Sequence, residues 1–206
     1  MIEQTIKELK KIGHRDYICN FLETLTDPVI CEVGVKIAAN FDKMLIPNVK
    51  AAIGVDIWRA GLGVLEFDRT EEKHYEETFE QDILNLQYKD VFNQYLPQNR
   101  IRIVREFSVN AARFFPDETF DFIYIDADHI YEAVSEDLAA WYPKVKVGGV
   151  IGGHDYISRE ETIRRGHSSP FGVVEAVADF RKEHDLSEDN FHVTNEDYAS
   201  YFMVKE

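Results

Sequence analysis

The chain has 206 residues, 45% hydrophobic and 13% aromatic, which fits one compact domain better than two. Its 23 Lys and Arg stand against 38 Asp and Glu, a formal charge of -15, and this argues against nucleic acid or an anionic membrane surface as a partner. No apolar run approaches the roughly 20 residues of a spanning helix, and the amino-terminal MIEQTIKELKKIGHRDYI lacks the apolar centre of a signal peptide, so a soluble cytoplasmic protein is expected.

Apolar side chains recur at helical spacing through Ile2, Ile6, Leu9 and Ile12, then Tyr17, Ile18, Phe21, Leu22 and Leu25. This predicts one or two helices in an amino-terminal segment, 1–27, broken near Gly13 and ended by Asp27-Pro28. From residue 28 to 206, short apolar runs alternate with longer amphipathic stretches. The expected order is a strand Val29 to Val33, a helix near Ala38 to Leu45, a strand Ala51 to Val55 and a helix near Tyr75 to Tyr95. A strand Ile101 to Val104, a short helix near Val109 to Phe115, a strand Phe120 to Ile125, a helix near Tyr131 to Tyr142 and a strand Gly149 to Ile151 follow. After a helix near Val173 to His184, the runs Phe191 to Thr194 and Tyr198 to Val204 are separated only by Asn195, Glu196 and Asp197, the spacing of a hairpin. The expectation is a single α/β domain: a Rossmann-like, doubly wound, mostly parallel seven-stranded sheet with a carboxy-terminal antiparallel hairpin. Cys19 and Cys31 lie in apolar surroundings without C-x-x-C spacing and are read as reduced core residues.

In such sheets, ligands sit outside the carboxyl ends of the strands, so the residues there matter most. The first strand turns at Glu32-Val33-Gly34-Val35 with one glycine only; Lys36, Ile37, Ala38 and Ala39 follow where G-x-G-x-x-G would continue, which disfavours NAD or FAD. The second ends in Asp56, placed to accept hydrogen bonds from a ribose diol, although an Asp after a strand also serves as a cap or turn. Ser108 after the third strand either reaches a nucleoside or caps a helix. The fourth strand runs into Asp126-Ala127-Asp128-His129, and the fifth, Gly148-Gly149-Val150-Ile151-Gly152-Gly153, into His154-Asp155-Tyr156. As neighbours with parallel carboxyl ends, these strands bring Asp126, His154 and Asp155 within metal-ligand reach with His129 nearby; the alternative is that they only cap turns. Gly152-Gly153 is expected to admit a ligand close to the backbone. Trp58 is placed to stack on a ligand and Trp141 in the core; Tyr156 and Phe171 hint at a wall for a sugar ring. Arg59 to His74 and Ser158 to Pro170, neither strand nor core helix, are expected to wall or cover the site, or else to be solvated connectors. No G-x-S-x-G elbow supports nucleophilic catalysis.

Taken together, Glu32-Val33-Gly34-Val35, Gly54-Val55-Asp56-Ile57-Trp58, the run Phe120 to His129 and the run Gly148 to Tyr156 resemble the class I S-adenosylmethionine-dependent methyltransferases. The resemblance runs from Val29 to Val204 and is closest to the sugar O-methyltransferases of macrolide and aminocoumarin pathways. It implies that Gly34 lets the loop pass the methionine end of the cofactor with Glu32 at the loop's base, that Asp56 holds the ribose and that Ser108 lies beside the adenine. It further implies a divalent ion, Mg²⁺ or Mn²⁺, on Asp126, His154 and Asp155, and His129 as general base. Two positions depart from the family pattern: Ala38 replaces the second glycine of the cofactor loop, and His154 replaces a carboxylate. The expected activity is methyl transfer to a hydroxyl of a saccharide or similarly polar small molecule. Its rivals are a non-catalytic methyltransferase-like binding subunit and a nucleotide-dependent oxidoreductase or epimerase. The amino-terminal segment is expected to cover the sheet, to contact a second copy in a homo-oligomer, or both.

Overall fold

The computed structural model describes residues 2–60, 71–167 and 171–206, with the backbone alone for residues 71–79. In chain order the elements are α1 Ile2–Leu9, α2 Ile18–Leu22, β1 Val29–Val33, α3 Ala39–Met44, β2 Ala51–Asp56 and α4 Glu71–Tyr95. They continue with β3 Ile101–Arg105, α5 Ser108–Ala112, β4 Phe120–Ile125, α6 Tyr131–Trp141 and β5 Val145–Gly153. The remainder is α7 Arg159–Arg164, α8 Val173–Glu183, β6 Phe191–Val193 and β7 Tyr201–Val204.

The strands form one sheet in the order β3-β2-β1-β4-β5-β7-β6. β1 to β5 are mutually parallel, whereas β7 runs antiparallel to both β5 and β6. The inner strands are nearly continuous apolar runs because both faces are covered. On one face Ile30, Phe122, Tyr124, Val150 and Phe202 pack under α1 to α4, meeting Leu9, Phe21, Leu22, Phe41 and Val91. On the other, Cys31, Val33, Ile123, Ile151 and Met203 pack under α5, α6 and α8, meeting Ala111, Leu138, Trp141, Val177 and Phe180. The amino-terminal segment therefore covers the sheet. Leu84, Tyr88, Val91 and Tyr95 form the inward stripe of α4. Among the described residues no helix is long and apolar enough to cross a membrane.

Several boundaries differ from the sequence expectation, each for a local reason. β5 begins at Val145, not Gly149, because Gly148 adopts φ +79 and the register shifts between Phe120–Val145 and Phe122–Val150; the two glycines form a bulge inside one strand. The hairpin turn is longer than three residues: residues 194–200 loop out between β6 and β7, closed by the Thr194 amide donating to the Ser200 carbonyl at 2.9 Å. Ser158 to Pro170 contains a helix after all, α7, whose cap is the Ser158 hydroxyl accepting from the Glu161 amide. Residues 168–170 of that stretch, and 61–70 of the Arg59 to His74 stretch, lie outside the described residues, so their expected role as walls is left there.

Gly152 and Gly153 make room for protein, not ligand. A Cβ on Gly152 would lie 2.4 Å from the Phe202 ring, and one on Gly153 2.5 Å from the Ile125 carbonyl oxygen and 2.8 Å from the Tyr201 ring. Gly34 is more constrained still. It adopts φ +93, its amide donates to the Val55 carbonyl at 2.8 Å, and a Cβ would fall 2.0 Å from the Asp126 carbonyl oxygen. Gly34→Ala should therefore destabilise the protein by about 3 kcal/mol or more in a denaturant titration; a loss under about 1 kcal/mol would contradict this packing.

Candidate active site

The strand order reverses between β1 and β4, and a cleft opens over their carboxyl ends, as doubly wound sheets favour. Its volume is about 670 Å³, within the range of small-molecule sites. Gly34, Asp56, Ser108 and Asp126, all expected at a site, line it together with Lys36, Phe107 and Asp137.

Asp56 is fixed by two backbone amides: Lys36 donates to its Oδ2 and Trp58 to its Oδ1, both at 2.8 Å. Each oxygen keeps a lone pair for a ligand hydroxyl. Trp58 does not stack on a ligand. It is 1% exposed, its indole N–H donates to the Lys36 carbonyl at 2.8 Å, and its ring packs on Tyr88, so it pins the loop after β1 to the loop after β2. Ala38 caps α3 in the left-handed region, φ +66, the conformation for which glycine is the natural occupant. The alanine methyl costs roughly 1–2 kcal/mol there. It takes no cleft space, since Ala38 is buried and is absent from the described lining.

Glu32 lies beneath the same loop and outside the cleft wall. Its Oε1 accepts from the Asn40 side chain at 2.7 Å, tying β1 to α3, while Oε2 has no hydrogen-bond partner among the described residues. Burial pushes its carboxyl up to about 8 against the opposing Asn40 hydrogen bond. Ser108 lines the cleft, but it does not cap α5: it is the first residue of that helix, the cap position is Phe107, and no side chain makes a cap hydrogen bond there. The Ser108 hydroxyl accepts from the Trp141 indole at 2.8 Å, with Trp141 in the core as expected. Asp137 carries no mark of a site residue in the sequence motifs. Buried in the cleft floor, it is pushed up to about 6 by burial, in opposition to a hydrogen bond from Ser108. Its sequence signal is the i, i+4 spacing to Trp141, which puts both on the inward side of α6.

Asp126 is also the corner of a second cluster. One donor atom each from Asp126, His154 and Asp155 lies within 4.8 Å of the others. His154 Nδ1 is 3.2 Å from Asp155 Oδ1 and 3.9 Å from Asp126 Oδ1. His129 Nε2 is 2.8 Å from Asp155 Oδ2 and 3.7 Å from Asp126 Oδ1. The shorter contact is poorly aligned, and the buried Nε2 makes no well-directed hydrogen bond among the described residues; charge attraction dominates it. Phe171 covers the His129 ring at 4.7 Å, whereas Tyr156 packs against Phe191 and Tyr201. His129, His154 and Asp155 lie outside the cleft lining, so the two sites meet at Asp126.

Arg15 joins the same cluster from the amino-terminal segment. Its Nη1 donates to Asp126 Oδ2 at 3.1 Å, and its backbone amide donates to Glu196 Oε1 at 2.9 Å. The sequence marks the place only as the break after Gly13 in the amino-terminal apolar pattern.

The described cleft wall carries Asp56, Glu106, Asp126, Asp128, Glu136 and Asp137 against Lys36. Such a wall attracts a cationic ligand and repels a pyrophosphate, which speaks against a dinucleotide. Burial opposes the charged form of His129, but Asp126 and Asp155 outweigh it and hold the imidazole up to about 9. Burial pushes Asp155 up, but His129 and His154 outweigh it and hold that carboxyl well below the usual carboxylate range. The His129 ring should titrate near pH 9 by NMR, and its stabilising pairing, complete below its ordinary 6.5, is lost as pH rises through 9. Glu32 acts in the opposite sense: its cost to stability grows as pH rises from 4.5 through 8, so Glu32→Gln should raise the melting temperature more at pH 9 than at pH 5.

A family model described as a methyltransferase domain matches residues 37–156. No curated protein sequence matches the chain significantly. Among solved structures, the O-methyltransferase NovP superposes with a TM-score of 0.60 at 17% identity, covering 100% of this chain and 79% of that one. A Staphylococcus aureus protein assigned as a caffeoyl-CoA O-methyltransferase gives 0.60 at 16% identity, covering 93% and 82% of the two chains. The cofactor-bound protein Rv0187 from MTB gives 0.54 at 13%, covering 93% and 79%. At these identities the neighbours establish a shared fold, while the family match spans β2 to β5 and every acidic residue of the described cleft wall. The chain belongs to the class I S-adenosylmethionine-dependent methyltransferase family.

Proposed function

We propose that the protein methylates a hydroxyl of a saccharide or similarly polar small molecule, with S-adenosylmethionine in the cleft and the acceptor over the His129 cluster. The observation that carries this reading is Asp126, whose carboxylate is shared between an acid-lined nucleoside-sized cleft and a group of two imidazoles and a second carboxylate. In the cleft, Asp56 takes the ribose hydroxyls, Ser108 faces the adenine, Gly34 passes the methionine end, and Glu32 braces the loop from below. The acidic wall favours the sulfonium and ammonium charges of this cofactor.

Asp126, His154 and Asp155 suit a divalent cation: their donor atoms converge, and two carboxylates with an imidazole make Mn²⁺ a more natural ligand partner than Mg²⁺. When bound, such an ion lowers the pKa of a coordinated hydroxyl. The chain's own residues do the rest. His129 serves as base in its neutral form, which Asp126 and Asp155 disfavour below about pH 9 when they face it alone and which would be favoured nearer neutrality with those carboxylates shared by a cation. In that form Nε2, facing the cluster, removes the hydroxyl proton; the acceptor oxygen forms a bond to the methyl carbon as the carbon–sulfur bond breaks, and the electron pair stays on sulfur. Asp126 holds His129 and the acceptor end of the cleft in register, which sets the oxygen, carbon and sulfur in line.

Calorimetric titration tests the reading. S-adenosylmethionine should bind and NAD should not; Asp56→Asn should weaken cofactor binding about tenfold, and His129→Ala should leave it within twofold. With an acceptor found by screening, His129→Ala should lower turnover by about 10²-fold or more. Full activity in His129→Ala sinks the base assignment, and binding of NAD in place of S-adenosylmethionine sinks the whole reading.

A further inference from the structure

We infer that Arg15 is the resident counter-cation of Asp126 in the Asp126–His154–Asp155 cluster and competes with a divalent ion for that carboxylate. The inference rests on the metal-binding part of the proposed function. It begins with how the two oxygens of Asp126 are divided. Oδ1 faces His129 and His154 at 3.7 and 3.9 Å, while Oδ2 accepts from Arg15 Nη1 at 3.1 Å. The carboxylate that joins cofactor cleft and cluster is therefore already paired with a permanent positive charge. A guanidinium has donors and no lone pair, so Arg15 neutralises Asp126 but cannot ligate an ion. An ion arriving at Oδ1 meets a like charge on the far side of the same carboxylate.

The backbone beneath Arg15 is anchored to the β6–β7 edge of the sheet. The Ile12 carbonyl lies 2.7 Å from His192 Nε2, the Gly13 carbonyl accepts from the Asn195 amide at 3.0 Å, and His14 Nε2 lies 3.1 Å from Glu196 Oε2. With the Arg15 amide held by Glu196 Oε1, the main chain from residue 12 to 15 has little freedom. Its side chain is different: it meets Tyr124 as well as Asp126, but it is 32% exposed, and rotation about its own bonds carries it from both towards solvent. Asp126 itself stays in place, since its amide donates to the Val33 carbonyl at 2.7 Å. The geometry is that of a cation held on a short arm from a fixed base, able to yield its carboxylate without refolding. Because His154 brings no negative charge of its own, Asp126 and Asp155 supply all the anionic charge of the three-residue set; Arg15 offsets that of Asp126, while His129 sits 2.8 Å from Asp155 Oδ2.

Binding of Mn²⁺, followed by the electron paramagnetic resonance of the free ion, separates the possibilities. Arg15→Gln and Arg15→Met should bind Mn²⁺ at least tenfold more tightly than the unaltered protein, and Arg15→Lys, which keeps the charge, should stay within threefold of it. Adding Asp155→Asn to Arg15→Gln should abolish the gain. Two neutral variants guard against one of them failing to fold, which a thermal melt reports. Equal affinity in all proteins, or weaker binding in the neutral variants, overturns the competition while leaving the metal site standing. Absence of saturable Mn²⁺ binding throughout overturns both, and S-adenosylmethionine titrations on the same samples report on the cofactor cleft independently.

Discussion

The loop after β1 crosses the end of β4 with no room for a side chain between them, and the site is arranged around that crossing. Gly34 is held there by its amide bond to Val55, and the Asp126 carbonyl lies where its Cβ would be. On one side of the crossing the loop continues through Lys36 to the two amide bonds that orient Asp56, with the buried Trp58 indole fastening them. On the other side, the Asp126 carboxylate projects towards His129 and His154. A displacement of either strand end would disturb cleft and cluster together, because both are built on the same pair of backbones.

Electrostatics gives the two halves of the site different characters. The cleft wall is a field of carboxylates with Lys36 as its described basic member, suited to a cation that binds whole. The cluster is balanced internally: Asp126 and Asp155 face His129, His154 and Arg15 at contact distances. The carboxylates that keep His129 protonated are also those that could hold a metal ion, so under the proposed function the proton affinity of His129 and the binding of a cation would be linked through Asp126 and Asp155.

Much of this was legible in the sequence because parallel strands end on one edge. Once Phe120 to Ile125 and the run ending at Gly153 are read as neighbouring strands, Asp126, His154 and Asp155 must fall side by side, and the register Ile125–Gly153 places them so. The same reasoning put Asp56 and Gly34 at the cleft. It failed where a residue answers to a distant partner. Trp58 follows a strand end and resembles a ligand platform, yet Lys36 and Tyr88 claim it. Gly152 and Gly153 read in the sequence as room for a ligand, although the rings of Tyr201 and Phe202 on β7 fill the space. Arg15 reaches Asp126 across 111 positions, carried there by a segment whose place is set by Glu196, His192 and Asn195. No periodicity or spacing encodes such a meeting.

The order of strands across the sheet also governs the order in which it can be built. β7 lies between β5 and β6 although it follows both in the chain, so β6 has no strand to pair with, and β5 keeps an open edge, until Tyr201–Val204 has been synthesised. Over that interval the exposed edge is Val150 to Gly153, an apolar stretch ending in two glycines, open to pairing with any extended peptide that reaches it first. The rings of Tyr201 and Phe202, seated over those glycines, are thus the late-arriving part that ends the vulnerable phase of folding.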